Sequence, residues 1–249
     1  IETGEHKGKK LSENIIPTNN LEEIAQSCTL IFPIIPSAYF RKIIREISPF
    51  LKPYHILIHG TKGLDIPSSL PSPRKALRRQ EVRTMTEVIL EESIVKRVGC
   101  FSGPNLAREL SDEQLAATVV ASKFDEVIKE GQKALGSHRF KVYGSYELTG
   151  IELAGALKNV IAIASGALSG LGYGENAKAM LLSRGLAEIT ILGKALGGTS
   201  QAFLGLAGVG DLIATCSSPL SRNFSVGFGL AKGKKLNETN YQNFNCQHY

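Results

Sequence analysis

The sequence predicts an α/β plus all-α chain: a doubly wound parallel sheet over residues 1–146, then a mostly helical domain over 147–249. Three observations carry this. Short, near-continuous apolar runs alternate with helix-period segments to about residue 145, the pattern of strands buried on both faces and joined by helical crossovers. From 147 onward Ala, Gly, Leu and Ile dominate, the period is helical and no strand pattern recurs, which places a boundary near 145–150. With 249 residues, 43% of them hydrophobic, the chain can build a substantial core in one or two domains.

Each element has its own signal. LEEIAQSC (21–28) reads as helix, and TLIFPIIP (29–36) as a short buried strand closed by Pro36. YFRKIIREISPFL (39–51) has apolar residues at helical spacing and stops before Pro53. HILIHGTKG (55–63) is a second buried strand ending in a Gly-rich turn, RTMTEVILEES (83–93) a helix, and VGCFSGPN (98–105) a strand into a loop. AATVVAS (116–122), KFDEVIKEGQKAL (123–135) and FKVYGS (140–145) read as strand, helix and strand. GLGYG (170–174) lies in helical text with no strand before it, and so is not a nucleotide-binding glycine turn. The tail, 237–249, is polar and aperiodic and is expected to be frayed.

Composition narrows the function classes. The net charge of +6 is modest, and most of the excess sits in PRKALRRQEVR (73–83), with five basic residues against one Glu. That stretch fits a solvated helix face or loop, or a nucleic-acid or anionic-surface patch; no aromatic side chain interleaves it to stack on bases, and no nucleic-acid partner is expected. No apolar run reaches the ~20 residues of a membrane span, and no secretory signal pattern opens the chain. Cys28, Cys100, Cys216 and Cys246 are far apart with no CxxC spacing, so reduced thiols and a cytoplasmic location are expected. His55 and His59 bracket a strand and read as strand-end residues rather than metal ligands; no metal is expected.

The chemistry concentrates at strand ends and in the helical part. In an open α/β sheet, ligands bind beyond the carboxyl ends of the strands, which singles out Pro36–Tyr39, Gly60–Gly63 and Ser102–Asn105. Lys62 follows a buried strand there, and GPN (103–105) resembles a backbone anion nest; each is equally an ordinary turn. IELAGALKNVIAIASGALSG (151–170) holds Lys158 inside apolar text. At ~100° per residue its helical neighbours are Ile151, Ala154, Gly155, Ile161, Ala162 and Ser165, mostly small residues that leave room for another backbone or a ligand. Two readings stand: a snorkelling or ion-paired structural lysine, or a semi-buried lysine suited to proton transfer. Within GLAGVGDLIATCSSPLSRNFSVG (205–227), Asp211 and Thr215 fall four apart on one helix face, followed by a Ser/Pro turn and Arg222-Asn223. A carboxylate, a hydroxyl, a guanidinium and an amide in so short a span suit a small polyol with an anionic end, or equally a capped helix with a surface arginine.

Taken together, KGL (62–64), SGPNLARE (102–109), GIELAGALKNVIAIASG (150–166), LLSRGLAEI (181–189) and GLAGVGDLIATCSSPLSRN (205–223) resemble the NAD(P)-dependent glycerol-3-phosphate dehydrogenases of bacterial type, over about residues 14–236. The resemblance implies a Rossmann-type domain joined to a helical substrate domain. It implies that Lys158 is the catalytic lysine, with Asp211 orienting it or a substrate hydroxyl. Substrate contacts are implied at Lys62, Gly103, Asn105, Lys158, Asp211, Thr215, Ser221, Arg222 and Asn223, and NAD or NADP contacts at Tyr39, Lys62, Ala107 and Arg222. Asn105 stands where bacterial members commonly carry Ser or Thr, and residues 66–82 read as an insertion without a family role.

The implied reaction is reversible hydride transfer between NAD(P)H and dihydroxyacetone phosphate, giving sn-glycerol 3-phosphate for phospholipid synthesis. The partners are then a small-molecule substrate, with a homodimer as the assembly to test and neither nucleic acid nor membrane. The rival readings are a related two-domain dehydrogenase acting on another small hydroxy acid, an inactive fragment, and a binding module built on the 73–83 patch. The family's opening strand, GxGxxG turn and first helix are expected before Ile1, and a further part beyond Tyr249. The 249-residue chain alone is therefore expected to bind NADH and NADPH weakly and to show no turnover.

Overall fold

The computed structural model describes residues 12–66 and 81–239. The chain divides into two compact units, Ile1–Phe101 with Ala107–Leu148, and Ser102–Leu106 with Thr149–Tyr249. Most of the basic stretch, the first residues and the last part of the tail with Cys246 lie outside the described residues.

In the first unit five strands, β1 (Leu30–Ile31), β2 (Ile56–His59), β3 (Arg97–Ser102), β4 (Ala116–Ser122) and β5 (Phe140–Ser145), form one sheet in sequential order. β1 pairs parallel with β2 (Leu30 opposite Ile56), β2 parallel with β3 (Ile56 opposite Arg97), and β4 parallel with β5 (Ala116 opposite Phe140). Ser122 Oγ donates to the Val98 carbonyl at 2.7 Å, tying the end of β4 to the start of β3. β1 is only two residues long, although the apolar run spans 29–36. Pro33 and Pro36 have no N–H to give a ladder, and Ile35 N–H turns instead to Thr61 Oγ1 at 3.3 Å.

The helices cover both faces of the sheet. α1 (Leu21–Ser27) is capped by Asn20, whose side chain accepts from Glu22 and Glu23 N–H. α3 (Met85–Glu92) opens on a capping box between Thr84 and Glu87. With α2 (Ser37–Ile47) they bury Ala25, Phe40, Ile44, Met85, Val88 and Ile89 against Leu57 and Val98. Because side chains alternate along a strand, Ile56 and Ile58 point the other way, where they pack with Val120, Val142 and Val127 of α5 (Asp125–Leu135). A sheet with helices on both sides is the α/β architecture expected from the near-continuous apolar strands. α4 (Ala107–Ser111) is a short helix between β3 and β4.

The residues flanking the 66–82 insertion are joined to each other. Asp65 and Arg83 exchange two backbone hydrogen bonds of 2.9 Å as an isolated antiparallel bridge. Arg41 of α2 then reaches three carboxylates, Asp65 (2.9 Å), Glu91 (2.9 Å) and Glu92 (2.5 Å), while Arg45 also binds Glu92 and Arg83 binds Glu91.

The second unit is helical: α6 (Leu148–Gly170), α7 (Glu175–Ala195), α8 (Ser200–Leu204), a π turn (Leu206–Gly210), α9 (Asp211–Ser217) and α10 (Arg222–Ala231). Among the described residues no strand follows β5. GLGYG closes α6 and leads into α7, as its helical context implies. The tail is more ordered at its start than its polarity suggests: Leu236–Glu238 form a 3₁₀ turn, and Thr239, buried, donates to the Leu236 carbonyl at 2.6 Å. α6 is also longer than any uninterrupted apolar run. At 23 residues it is long and apolar enough to cross a membrane by length and composition, but it carries Glu152 and Lys158. α6 and α10 meet backbone to backbone: a Cβ on Gly166 would be driven into the Phe224 carbonyl, and one on Gly227 into the Ile163 carbonyl. Only glycine allows helices so close.

Candidate active site

Lys158 sits two-fifths of the way along α6 on the face read from its sequence, with Ile151, Ala154, Gly155, Ile161, Ala162 and Ser165 all buried around it. Its side chain does not snorkel to water; the residue is only 4% exposed. Nζ donates to Asp211 Oδ1 at 2.8 Å and to Thr215 Oγ1. Asp211 and Thr215 are four apart on α9, and the Thr215 hydroxyl donates to the same Asp211 oxygen at 3.2 Å. The glycine-rich approach 205–210 winds as the wider π turn and delivers Asp211, 2% exposed, as the first residue of α9. Its carboxylate thus meets the positive end of the helix.

A buried ammonium and carboxylate cost several kcal/mol each to desolvate, so such a pair is poor evidence of a stability device. Removing either partner leaves the other charged and buried, at a cost of roughly 3–5 kcal/mol. Two acceptors thus hold the amine at a fixed point.

A second contact joins the same elements. Asn223 Nδ2 donates to Asn159 Oδ1 at 2.8 Å, so the residue after the lysine is bonded to the residue after the arginine. Ser221 caps α10 by accepting from Phe224 N–H at 3.3 Å, and Arg222 opens that helix with an exposed side chain. α6, α9 and α10 therefore gather Lys158, Asp211, Thr215 and Asn223, with Ser221 and Arg222 at the start of α10. Gly103, buried, and Asn105, half-buried, belong to the same unit through the segment Ser102–Leu106.

Three residues of this centre were not among those singled out for function. Asn159 adjoins Lys158 in the sequence. Ser165 was read only as a small neighbour of the lysine; its buried hydroxyl donates to the Cys216 carbonyl at 2.8 Å. Cys216 adjoins Thr215, and burial pushes its thiol up to about 11, so it rests as the neutral thiol.

The remaining candidates stand in the first unit. Tyr39, exposed, lies in the first turn of α2 after β1, and Lys62, half-buried, in the loop after β2. Thr61 clasps these two neighbouring strand ends, donating to the Ile35 carbonyl at 2.6 Å. Ala107, exposed, opens α4 beyond the end of β3. The two histidines are core residues: His55 Nδ1 lies 2.7 Å from Lys52 N and Nε2 2.8 Å from the Ala25 carbonyl, while His59 Nε2 lies 3.3 Å from Thr86 Oγ1.

Known proteins resemble this chain over most of its length. The family model described as NAD-dependent glycerol-3-phosphate dehydrogenase N-terminus matches residues 3–128, and that for the C-terminus of the same family matches 147–248. A curated relative from Ectopseudomonas mendocina, glycerol-3-phosphate dehydrogenase [NAD(P)+], is 43% identical over 232 residues, covering 93% of this chain and 64% of that protein. A relative of the same name from Pseudomonas aeruginosa is 42% identical over the same shares. The crystal structure of glycerol-3-phosphate dehydrogenase from Coxiella burnetii superposes with a TM-score of 0.79 at 32% identity, over 90% of this chain and 64% of that one. The structure of the Saccharomyces cerevisiae glycerol-3-phosphate dehydrogenase gives a TM-score of 0.79 at 26% identity, over 97% and 68%. The chain thus spans 64% of the length of the curated relatives it matches. With both family models matched along nearly its whole length, the chain belongs to the NAD-dependent glycerol-3-phosphate dehydrogenase family.

Proposed function

We propose that the protein is an NAD(P)-dependent sn-glycerol-3-phosphate dehydrogenase, interconverting dihydroxyacetone phosphate and sn-glycerol 3-phosphate. The observation that carries this reading is the buried Lys158 amine, held by Asp211 and Thr215 beside the Asn159–Asn223 pair. Toward the ketone, Lys158 gives its proton to the C2 oxygen as that oxygen gains charge; in the reverse direction it takes the proton from the C2 hydroxyl. Asp211 keeps the amine in place through both protonation states, and the Thr215 hydroxyl supplies a second acceptor. Arg222, exposed at the start of α10, presents a planar fork suited to bidentate binding of the phosphate, with Asn223 beside it.

The first unit has features that fit a dinucleotide. Tyr39, in the first turn of α2, and Lys62, in the loop after β2, follow two adjacent parallel strands, beyond whose carboxyl ends open α/β sheets bind ligands. The Lys62 loop comes so close to α2 that a Cβ on Gly63 would lie 2.6 Å from Ser37 Cβ. Tyr39, Lys62 and Ala107 would hold NAD or NADP, which supplies the hydride acceptor or donor.

Turnover of dihydroxyacetone phosphate with NADH and with NADPH by the natural gene product tests the reading. Oxidation of either nucleotide that depends on the ketone phosphate and yields sn-glycerol 3-phosphate supports it. Turnover of a non-phosphorylated 2-oxo acid instead would transfer the chain to the related hydroxy-acid dehydrogenases.

A further inference from the structure

Lys158 and Ser165 lie seven residues apart on α6, two helical turns, and both reach α9. Lys158 meets Asp211, its first residue, and Thr215. Ser165 meets the carbonyl of Cys216, its next-to-last residue. α9 has only seven residues, too few to hold a helix by its own hydrogen bonds, and the carbonyls of its last turn lack intrahelical donors. The Ser165 hydroxyl supplies such a donor from a neighbouring helix, in a place where both residues are buried. α6 therefore grips α9 at both ends, and the second grip carries no charge and takes no part in proton transfer.

We infer that Ser165 is a positioning residue: its hydrogen bond to Cys216 sets the register of α9 on α6 and so holds Asp211 and Thr215 against Lys158. This rests on the reading of Lys158 as the proton donor, but its structural half can be tested without turnover.

The first measurement is a double-mutant cycle by urea unfolding, combining Ser165→Ala, which removes the hydroxyl without opening a cavity, with Thr215→Val, which is nearly isosteric. Thr215 adjoins Cys216, the partner of Ser165, so the cycle asks whether the Ser165 hydrogen bond and the Thr215 contact with Lys158 act as one unit. If Ser165 sets the register, the fold-change in unfolding constant caused by Thr215→Val shrinks by roughly threefold or more in the Ser165→Ala background. Additive effects overturn the proposal. The second measurement is steady-state kinetics of Ser165→Ala. The expected result is kcat reduced roughly tenfold, with KM for dihydroxyacetone phosphate within about twofold of wild type, because α10 and its phosphate-facing residues are untouched. A change in KM alone, or no change, also overturns it. If the wild-type protein turns over no ketone phosphate, the functional reading fails, while the unfolding cycle still decides whether Ser165 and Thr215 are coupled.

Discussion

Asn223 donates its side-chain amide to Asn159 across 2.8 Å, which fastens α10 to the residue next to the lysine. Asn159→Ala leaves the Asn223 amide without that acceptor, free to rotate away from the phosphate proposed to bind beside it. One neutral hydrogen bond is worth about 1 kcal/mol net, so KM for dihydroxyacetone phosphate is expected to rise about fivefold with kcat little changed. Steady-state kinetics checks this; an unaltered KM together with a lowered kcat would assign Asn159 to the chemical step instead.

Lys158→Ala removes the amine proposed as the proton donor. kcat is expected to fall by roughly 10²–10⁴-fold, the range for a general acid–base group, with NADH affinity nearly unchanged by calorimetric titration. A variant that keeps wild-type kcat would remove Lys158 from the mechanism.

Arg222→Lys replaces a planar fork with a point charge at an exposed helix start. Binding of dihydroxyacetone phosphate is expected to weaken about tenfold, whereas turnover of dihydroxyacetone, which has no phosphate, changes much less. Comparing kcat/KM for the two ketones checks this, and equal losses on both would place the phosphate elsewhere.

Gly166→Ala forces a methyl group into the Phe224 carbonyl at the crossing of α6 and α10. Backbone cannot yield as a side-chain end does, so stability is expected to fall by about 2 kcal/mol or more, read as a lower urea midpoint. Gly227→Ala, which meets the Ile163 carbonyl at the same crossing, is expected to do the same. Unchanged midpoints in both would mean that the two helices are not in backbone contact.

Glu92 is held at about 2, below its ordinary 4.5, first by the hydrogen bond from Arg45 and then by that from Arg41, against burial that acts the other way. A carboxylate whose value is lower in the folded state than in the unfolded one stabilises the fold fully above about 4.5 and loses that contribution as pH falls through 2. Urea midpoints are therefore expected to drop more steeply between pH 5 and 3 in wild type than in Glu92→Gln, less so at high salt because Arg45 is largely exposed. Parallel curves for the two proteins would remove Glu92 as a contributor.

Much of this protein is decided by local sequence. The alternation of buried strands and helices, the change to helical text near 147, and the Asp211–Thr215 face depend on periodicity within a few residues, and the structure carries them as read. Lys158 was legible as an amine on a small, buried face for the same reason. What pairs across the chain was not. β1 shrinks to two residues because a ladder needs N–H groups that Pro33 and Pro36 lack and because the Ile35 N–H finds Thr61 instead, 26 positions away. Asp65 and Arg83, on either side of residues 66–82, pair through backbone atoms, which carry no residue signature. The partner of the Lys158 amine is Asp211, 53 positions along; the Asn159–Asn223 bond spans 64 and the Ser165–Cys216 bond 51. Sequence periodicity tells which face of a helix is buried. Which helix covers that face, and in what register, is set by packing between side chains far apart in the chain, and only the tertiary structure decided it.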